Sequence, residues 1–142
     1  MSKNLTIAVD FDGTIVENRF PKIGKPILFA LETLKKLQED GHQLILWTYR
    51  SGKELQEAVA FCNSKGIHFY SVNKSYPEEE YDHSISRKIQ ADIFIDDRNI
   101  GGLLGWGEVY LKLSKESLEK EKKILQNKKS KKSILSLFKS KL

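Results

Sequence analysis

Residues 7–17 read IAVDFDGTIVE, an apolar run that ends in two aspartates one residue apart, with glycine and threonine directly after. A buried strand that ends in carboxylates carries a desolvation cost unless a cation offsets it. Gly13 permits a sharp turn, so Asp10 and Asp12 can face one point in the crevice at the strand's carboxyl end. A second acidic pair, Asp96 and Asp97, ends the apolar run ADIFIDD. Thr48 and Arg50 follow a third apolar run, GHQLILWT, and lysines lie in the connection between them and the second pair. Carboxylates gathered at one sheet edge repel one another without a cation, and hard oxygen ligands favour Mg²⁺. A bound Mg²⁺ with a lysine and a hydroxyl beside it describes a site for a phosphoryl group. One aspartate could then act as nucleophile through an aspartyl-phosphate, and a carboxylate two residues on could protonate the leaving oxygen and later activate water.

Such positioning needs a parallel sheet, and the intervening sequence supplies the elements. Residues 5–9 and 41–48 read as buried strands, and Ile27, Leu31, Leu34 and Leu37 between them recur at helical spacing ahead of Gly41. That is a βαβ unit with a right-handed crossover. A second helix follows from residue 51, with Leu55, Val59 and Cys62 on one face. Residues 67–72 read as the third strand and 91–97 as the fourth. Residues 73–86 form a polar connection, and Cys62, the only cysteine, reads as a small core residue. His42, His68 and His83 have no metal-like spacing, and the aromatic residues of FYSVNKSYP and Tyr81 read as packing.

The chain resembles the haloacid dehalogenase (HAD) superfamily of phosphohydrolases over roughly residues 5–110, on the motifs DFDGT and IFIDD. The resemblance implies an α/β, Rossmann-like three-layer sandwich with a parallel sheet, and a Mg²⁺-dependent phosphomonoesterase, with a nucleic-acid-end (3′-phosphate) phosphatase or a catalytically idle HAD-fold binding module as the alternatives. It assigns Asp10 as nucleophile and metal ligand, and Asp12 as general acid/base with its carbonyl on the metal. It gives Thr48 the transferring phosphoryl group, and Asp96 and Asp97 the metal, directly and through water or orientation. Gly13 and Thr14 are turn and support residues on the substrate side of the first motif. The lysine of the family pattern is Lys88, aimed by a short helix through SISRKI, or else Lys74 at the end of the third strand. Arg50 either holds a substrate phosphate, as in nucleic-acid 3′-phosphatases of the superfamily that resemble this chain around TYRSG and IDDR, or pairs with a carboxylate. Arg98 reads as an ion-pair partner of Asp97 or a neighbour.

Neither residues 15–26 nor 73–86 are long enough for a folded cap domain, so the core reads as capless, open to a phosphorylated macromolecule or enclosed as a homo-oligomer. The expected organisation is a core over 1–113 and a lysine-rich tail over 114–142, helical or disordered. Residues 112–142 hold eleven lysines against three glutamates, a net of +8, while the remaining 111 residues are net −3. A globally nucleic-acid-coating body is therefore excluded. The tail places Ile134, Leu135, Phe138 and Leu142 on one helical face, which suits either a solvated tail, an anionic membrane surface, or a nucleic-acid or subunit contact. No run reaches the ~20 apolar residues of a membrane span, and the N-terminus lacks a signal-peptide core, so the expected location is cytoplasmic, with a peripheral membrane contact through the tail as the variant.

Overall fold

A computed structural model describes residues 4–129. Four strands, β1 (Thr6–Val9), β2 (Gln43–Leu46), β3 (Ser71–Val72) and β4 (Ile93–Ile95), form one parallel sheet in the order β3-β2-β1-β4. The helices are α1 (Ala30–Glu39), α2 (Gly52–Ser64), α3 (Trp106–Leu113) and α4 (Lys115–Lys129). This is a small Rossmann-like α/β fold without a cap domain. The chain reverses direction across the sheet between β1 and β4, and open α/β sheets bind ligands at such a switch point.

The register explains the core. Ile7 and Val9 pair with Leu44 and Leu46, and Ala8 pairs with Ile45, so the two sets face opposite sides of the sheet. All six are buried. Right-handed crossovers put α1 and α2 on one side. Their buried residues include Leu34 and Leu37 from α1 and Ala58 and Cys62 from α2. Burial pushes the Cys62 thiol up to about 12, as befits a core residue that never ionises. The helix α1 begins three residues later than the apolar spacing suggests, because Ile27 donates to the Ile15 carbonyl at 2.9 Å and stays in the loop.

On the opposite face of the sheet, irregular chain takes the place of the helix expected through SISRKI. Ala8 and Ile45 pack against Ile89, with Trp47 and Ala91 at the margin. The covering segment, residues 73–92, contains no helix. It contains Pro77, consecutive glutamates and serine-aspartate turns such as Ser84 N–H to Asp82 Oδ1 at 2.6 Å, with no 3.6-residue apolar period. The helix expected through SISRKI is therefore absent.

The chain divides into two compact units, Met1–Gly107 and Glu108–Leu142, a boundary six residues before the one read from composition. The difference arises because the second unit takes up most of α3 before the lysine-rich stretch begins. In that unit residues 122–129 of α4 are exposed. The apolar face expected over Ile134, Leu135, Phe138 and Leu142 lies outside the described residues. Among the described residues no helix is long and apolar enough to cross a membrane.

Trp106, the first residue of α3, is 1% exposed and donates its indole N–H to the Thr14 carbonyl at 2.9 Å. Its own carbonyl accepts from the buried Thr33 hydroxyl at 3.4 Å. Truncation to alanine should cost about 3–5 kcal/mol, and phenylalanine should cost less while still leaving the Thr14 carbonyl without its donor. Urea unfolding of both variants beside wild type measures both effects, and a phenylalanine variant with the wild-type midpoint would remove the hydrogen bond's share.

Candidate functional site

The site is built from four strand ends that finish level with one another. Asp10 follows Val9, whose register partners Leu46 and Ile95 precede Trp47 and Asp96. The Asp10 amide donates to the Ile95 carbonyl at 3.0 Å, which ties the two acidic motifs across the switch point. Carboxylate oxygens of Asp10, Asp96 and Asp97 lie within 4.8 Å of one another. Three half-buried oxygen donors at that spacing fit a hard divalent cation such as Mg²⁺, with water completing its shell.

Thr14 organises this cluster from below. Fully buried, its hydroxyl oxygen lies 3.0 Å from Asp10 Oδ2 and 3.3 Å from Asp97 Oδ1, and it accepts the Asp97 amide at 3.1 Å. A residue so enclosed braces the carboxylates and does not touch a substrate. Gly13 likewise serves the backbone: its φ is +85°, its amide bonds the Val16 carbonyl at 2.7 Å, and a Cβ there would collide with the Asp97 carboxylate. The expected substrate-side role of Gly13 and Thr14 is thus replaced by support of the turn.

Arg50 resolves its two readings in favour of a carboxylate. Its side chain is fully buried, and Nε and one terminal nitrogen donate to both oxygens of Asp12 at 2.7 and 2.8 Å. The remaining donors reach the carbonyls of Pro21, Lys22 and Glu54 at 3.0, 2.8 and 3.4 Å, and the guanidinium lies 5.0 Å and 5.3 Å from the Phe11 and Phe20 ring centres. The hydrogen bond to Asp12 raises the Arg50 pKa further, so it stays charged. With its donors directed at Asp12 and backbone carbonyls, Arg50 does not bind a substrate phosphate: it fixes Asp12 and the loop over residues 17–26.

Around the carboxylates opens a cavity of about 790 Å³, lined by Asp10, Asp12, Thr48, Asp96, aromatic side chains and two arginines, Arg87 and Arg98. Thr48 is placed by Asn73, whose Oδ1 accepts the Thr48 amide at 2.8 Å, while the Thr48 hydroxyl accepts the Arg50 amide at 3.2 Å. Asn73 has a φ of +54°, which asparagine tolerates better than most residues, and the Asn-Lys pair ending the third strand was the available signal for it.

Lys88 is not in this cavity. It lies on the other side of its segment, with Nζ 5.9 Å from the Phe94 ring centre, in a separate hollow with Asp92 and Tyr76. The absent helix is the reason: the backbone bends at both residues, and Arg87 lines the aspartate cavity while Lys88 lines the separate hollow. Arg87 is the cation that sequence reasoning missed. Lys74, the other candidate, lines an adjoining cavity of about 290 Å³ together with Thr48 and Arg87. Arg98 lines the aspartate cavity, and among the described residues it makes no ion pair with Asp97. His42 Nδ1 accepts the Leu5 amide at 3.0 Å, in keeping with a structural role.

Fold and strand-end site together define a small Rossmann-like α/β protein with an acidic cluster at its switch point. A solved structure, that of a conserved protein from Bacteroides thetaiotaomicron, is similar to this chain at 55% identity and a TM-score of 0.74, covering 78% of this chain and 90% of the other. The chain belongs to the same family as that conserved protein. No family model and no curated protein matches it.

Burial pushes the Asp10 carboxyl from 3.8 up to about 7, opposed by the Thr14 hydroxyl and reinforced by the charge of Asp96. Below the unfolded value both states hold this proton. Between about 4 and 7 only the folded state does, so this group's contribution to stability is lost as pH rises through that window. The melting temperature of Asp10→Asn should therefore gain on wild type as pH rises from about 4 to 7, then hold its lead. A divalent cation must displace that proton, so Mg²⁺ should raise the wild-type melting temperature more at pH 8 than at pH 5. Thermal scans test both, and a Mg²⁺ shift that is larger in acid would count against the cluster as the binding site.

Arg50→Ala should destabilise the fold by about 3–5 kcal/mol, because it strands the Asp12 carboxylate and leaves three carbonyls without their donor. The double variant Arg50→Ala/Asp12→Ala should recover part of that loss. Denaturant midpoints of the single and double variants check the coupling.

Proposed function

We propose that this protein is a Mg²⁺-dependent, HAD-type phosphomonoester hydrolase that works through an aspartyl-phosphate on Asp10. One observation carries the reading: the carboxylates of Asp10, Asp96 and Asp97 converge within 4.8 Å at the ends of adjacent strands, and Asp10 and Asp96 line a cavity that also presents Thr48 and Arg87. Acid and hydroxyl-plus-cation groups on one open crevice are the complement of a phosphoryl group and the ion that accompanies it. Asp10, Asp96 and Asp97, with the Asp12 carbonyl, would hold Mg²⁺, which when bound offsets the carboxylate charge and polarises the phosphoryl oxygens.

The chain's own groups supply the rest. Asp10 attacks phosphorus, and the bond to the leaving oxygen breaks as that oxygen takes a proton from cavity water, because Asp12, paired through both oxygens with Arg50, starts as a carboxylate. Asp12 then accepts a proton from water as that water attacks the aspartyl-phosphate, releasing phosphate and restoring the Asp10 carboxylate. Thr48 donates its hydroxyl proton to a phosphoryl oxygen, while one of its lone pairs accepts the Arg50 amide. Arg87 replaces Lys88 as the cation facing the phosphoryl group. Its Nε donates to the Tyr81 hydroxyl at 3.1 Å, and both terminal nitrogens remain for a ligand. Arg50 holds Asp12 in the cavity wall without touching the substrate.

Phosphate release from para-nitrophenyl phosphate by the purified full chain is the direct test, and it should require Mg²⁺ with Ca²⁺ a poor substitute. Asp10→Asn should lower kcat by at least about a thousandfold, on the order of 4 kcal/mol in barrier, with its circular dichroism unchanged. Residual turnover within about tenfold of wild type would rule out the covalent route.

A further inference from the structure

The aspartate cavity does not end at the phosphoryl position. It shares Trp47, Thr48 and Arg87 with the smaller cavity that holds Lys74 and Tyr81, so the two form one groove with Arg87 at the junction. Cations and aromatic rings line this groove together: Arg98, Phe20 and Tyr49 in the larger cavity, Lys74 and Tyr81 in the smaller, and Arg87 and Trp47 in both. Packing does not account for these rings. Tyr49 is 96% exposed, and Phe20 and Tyr81 are each 50% exposed, although each stands beside a buried core. Two of them carry a guanidinium, Phe20 that of Arg50 and Tyr81 that of Arg87, at 5.3 and 5.1 Å from ring centre, and Tyr81 also meets the His83 ring edge-on at 6.3 Å. Glu79, the acid of the smaller cavity, is engaged by the Ser75 amide at 3.0 Å and does not neutralise Lys74.

Rings with open faces bind flat, apolar-faced groups by stacking, and a cation one residue-width further along binds a second anion. A ligand that satisfies both beyond a phosphoryl group carries a base and another phosphate. We infer, resting on the phosphoryl-transfer reading of the site, that the groove takes a nucleotide: the reacting phosphate lies at Asp10, Thr48 and Arg87, a second phosphate at Lys74, and the base on Tyr49. A free nucleoside bisphosphate and the phosphorylated end of a single-stranded oligonucleotide present the same chemistry. The irregular segment 73–92 is what makes the groove, because a helix there would turn Arg87 and Tyr81 to other faces.

Binding to the full-length Asp10→Asn protein, read by quenching of Trp47 fluorescence and by calorimetry, tests the groove without turnover. The probes are adenosine 3′,5′-bisphosphate, a thymidylate pentamer bearing a 3′-phosphate, ribose 5-phosphate and a phosphotyrosyl peptide. Both base-bearing phosphates should bind at least about tenfold tighter than ribose 5-phosphate, and more weakly as salt is added. Tyr49→Ala, which removes an exposed side chain and leaves the fold intact, should erase most of that preference. Lys74→Ala should weaken the bisphosphate more than the monophosphate. A pentamer that binds tighter than the bisphosphate identifies a nucleic-acid end, and equal binding identifies a free nucleotide. Ribose 5-phosphate or the phosphopeptide binding as tightly as the nucleotides, or a Tyr49→Ala protein with its preference intact, would overturn the proposal. A protein that hydrolyses para-nitrophenyl phosphate without such preference loses only the groove, and one that binds nucleotides without hydrolysing phosphomonoesters loses only the enzymatic reading.

Discussion

The bidentate pair between Arg50 and Asp12 is the interaction on which the rest of the site depends. A guanidinium with no solvent exposure must satisfy its donors inside the protein, and it does so by drawing three separate pieces of chain together. It fixes Asp12 at the end of β1, gathers the Pro21 and Lys22 carbonyls of the loop after it, and reaches the first turn of α2 through Glu54. Its positive charge also sits beside an acidic cluster whose members repel one another. Asp12 is thereby charge-paired from within the protein at the cavity wall, while Asp10 faces the same cavity without a cationic partner among the described residues. The motif thus divides into a carboxylate oriented by a buried cation and an open one.

A second constraint operates through Thr14. A single hydroxyl has one proton to give and two lone pairs, and here it stands between Asp10, Asp97 and the Asp97 amide. It spaces the two acidic motifs at a distance that suits a shared cation, and Trp106 locks its carbonyl in turn. A core tryptophan is in this way connected to the placement of a surface carboxylate through one backbone turn.

How much of this was legible beforehand follows from the range over which each signal acts. Strand apolarity, strand-end acids and the glycine turn are local, so Asp10, Asp12, Thr48, Asp96 and Asp97 could be placed from their neighbours alone. The segment 73–92 lacks any period, and there the reading failed. Choosing Lys88 required a helix, and the irregular, bent backbone there brings Arg87 into the aspartate cavity in its place. Arg50 could be read as a phosphate ligand or a carboxylate partner, because only its burial separates the two.

By itself the sequence determined the parallel order of elements and the identity of the acids at their ends, since both depend on periodicity and turn chemistry within a few residues. The tertiary structure decided which cation faces those acids, which aspartate is already paired, and which aromatic rings are left open to the groove. Those outcomes depend on desolvation and on side-chain direction across residues tens of positions apart, and neither quantity is encoded in any local stretch of chain.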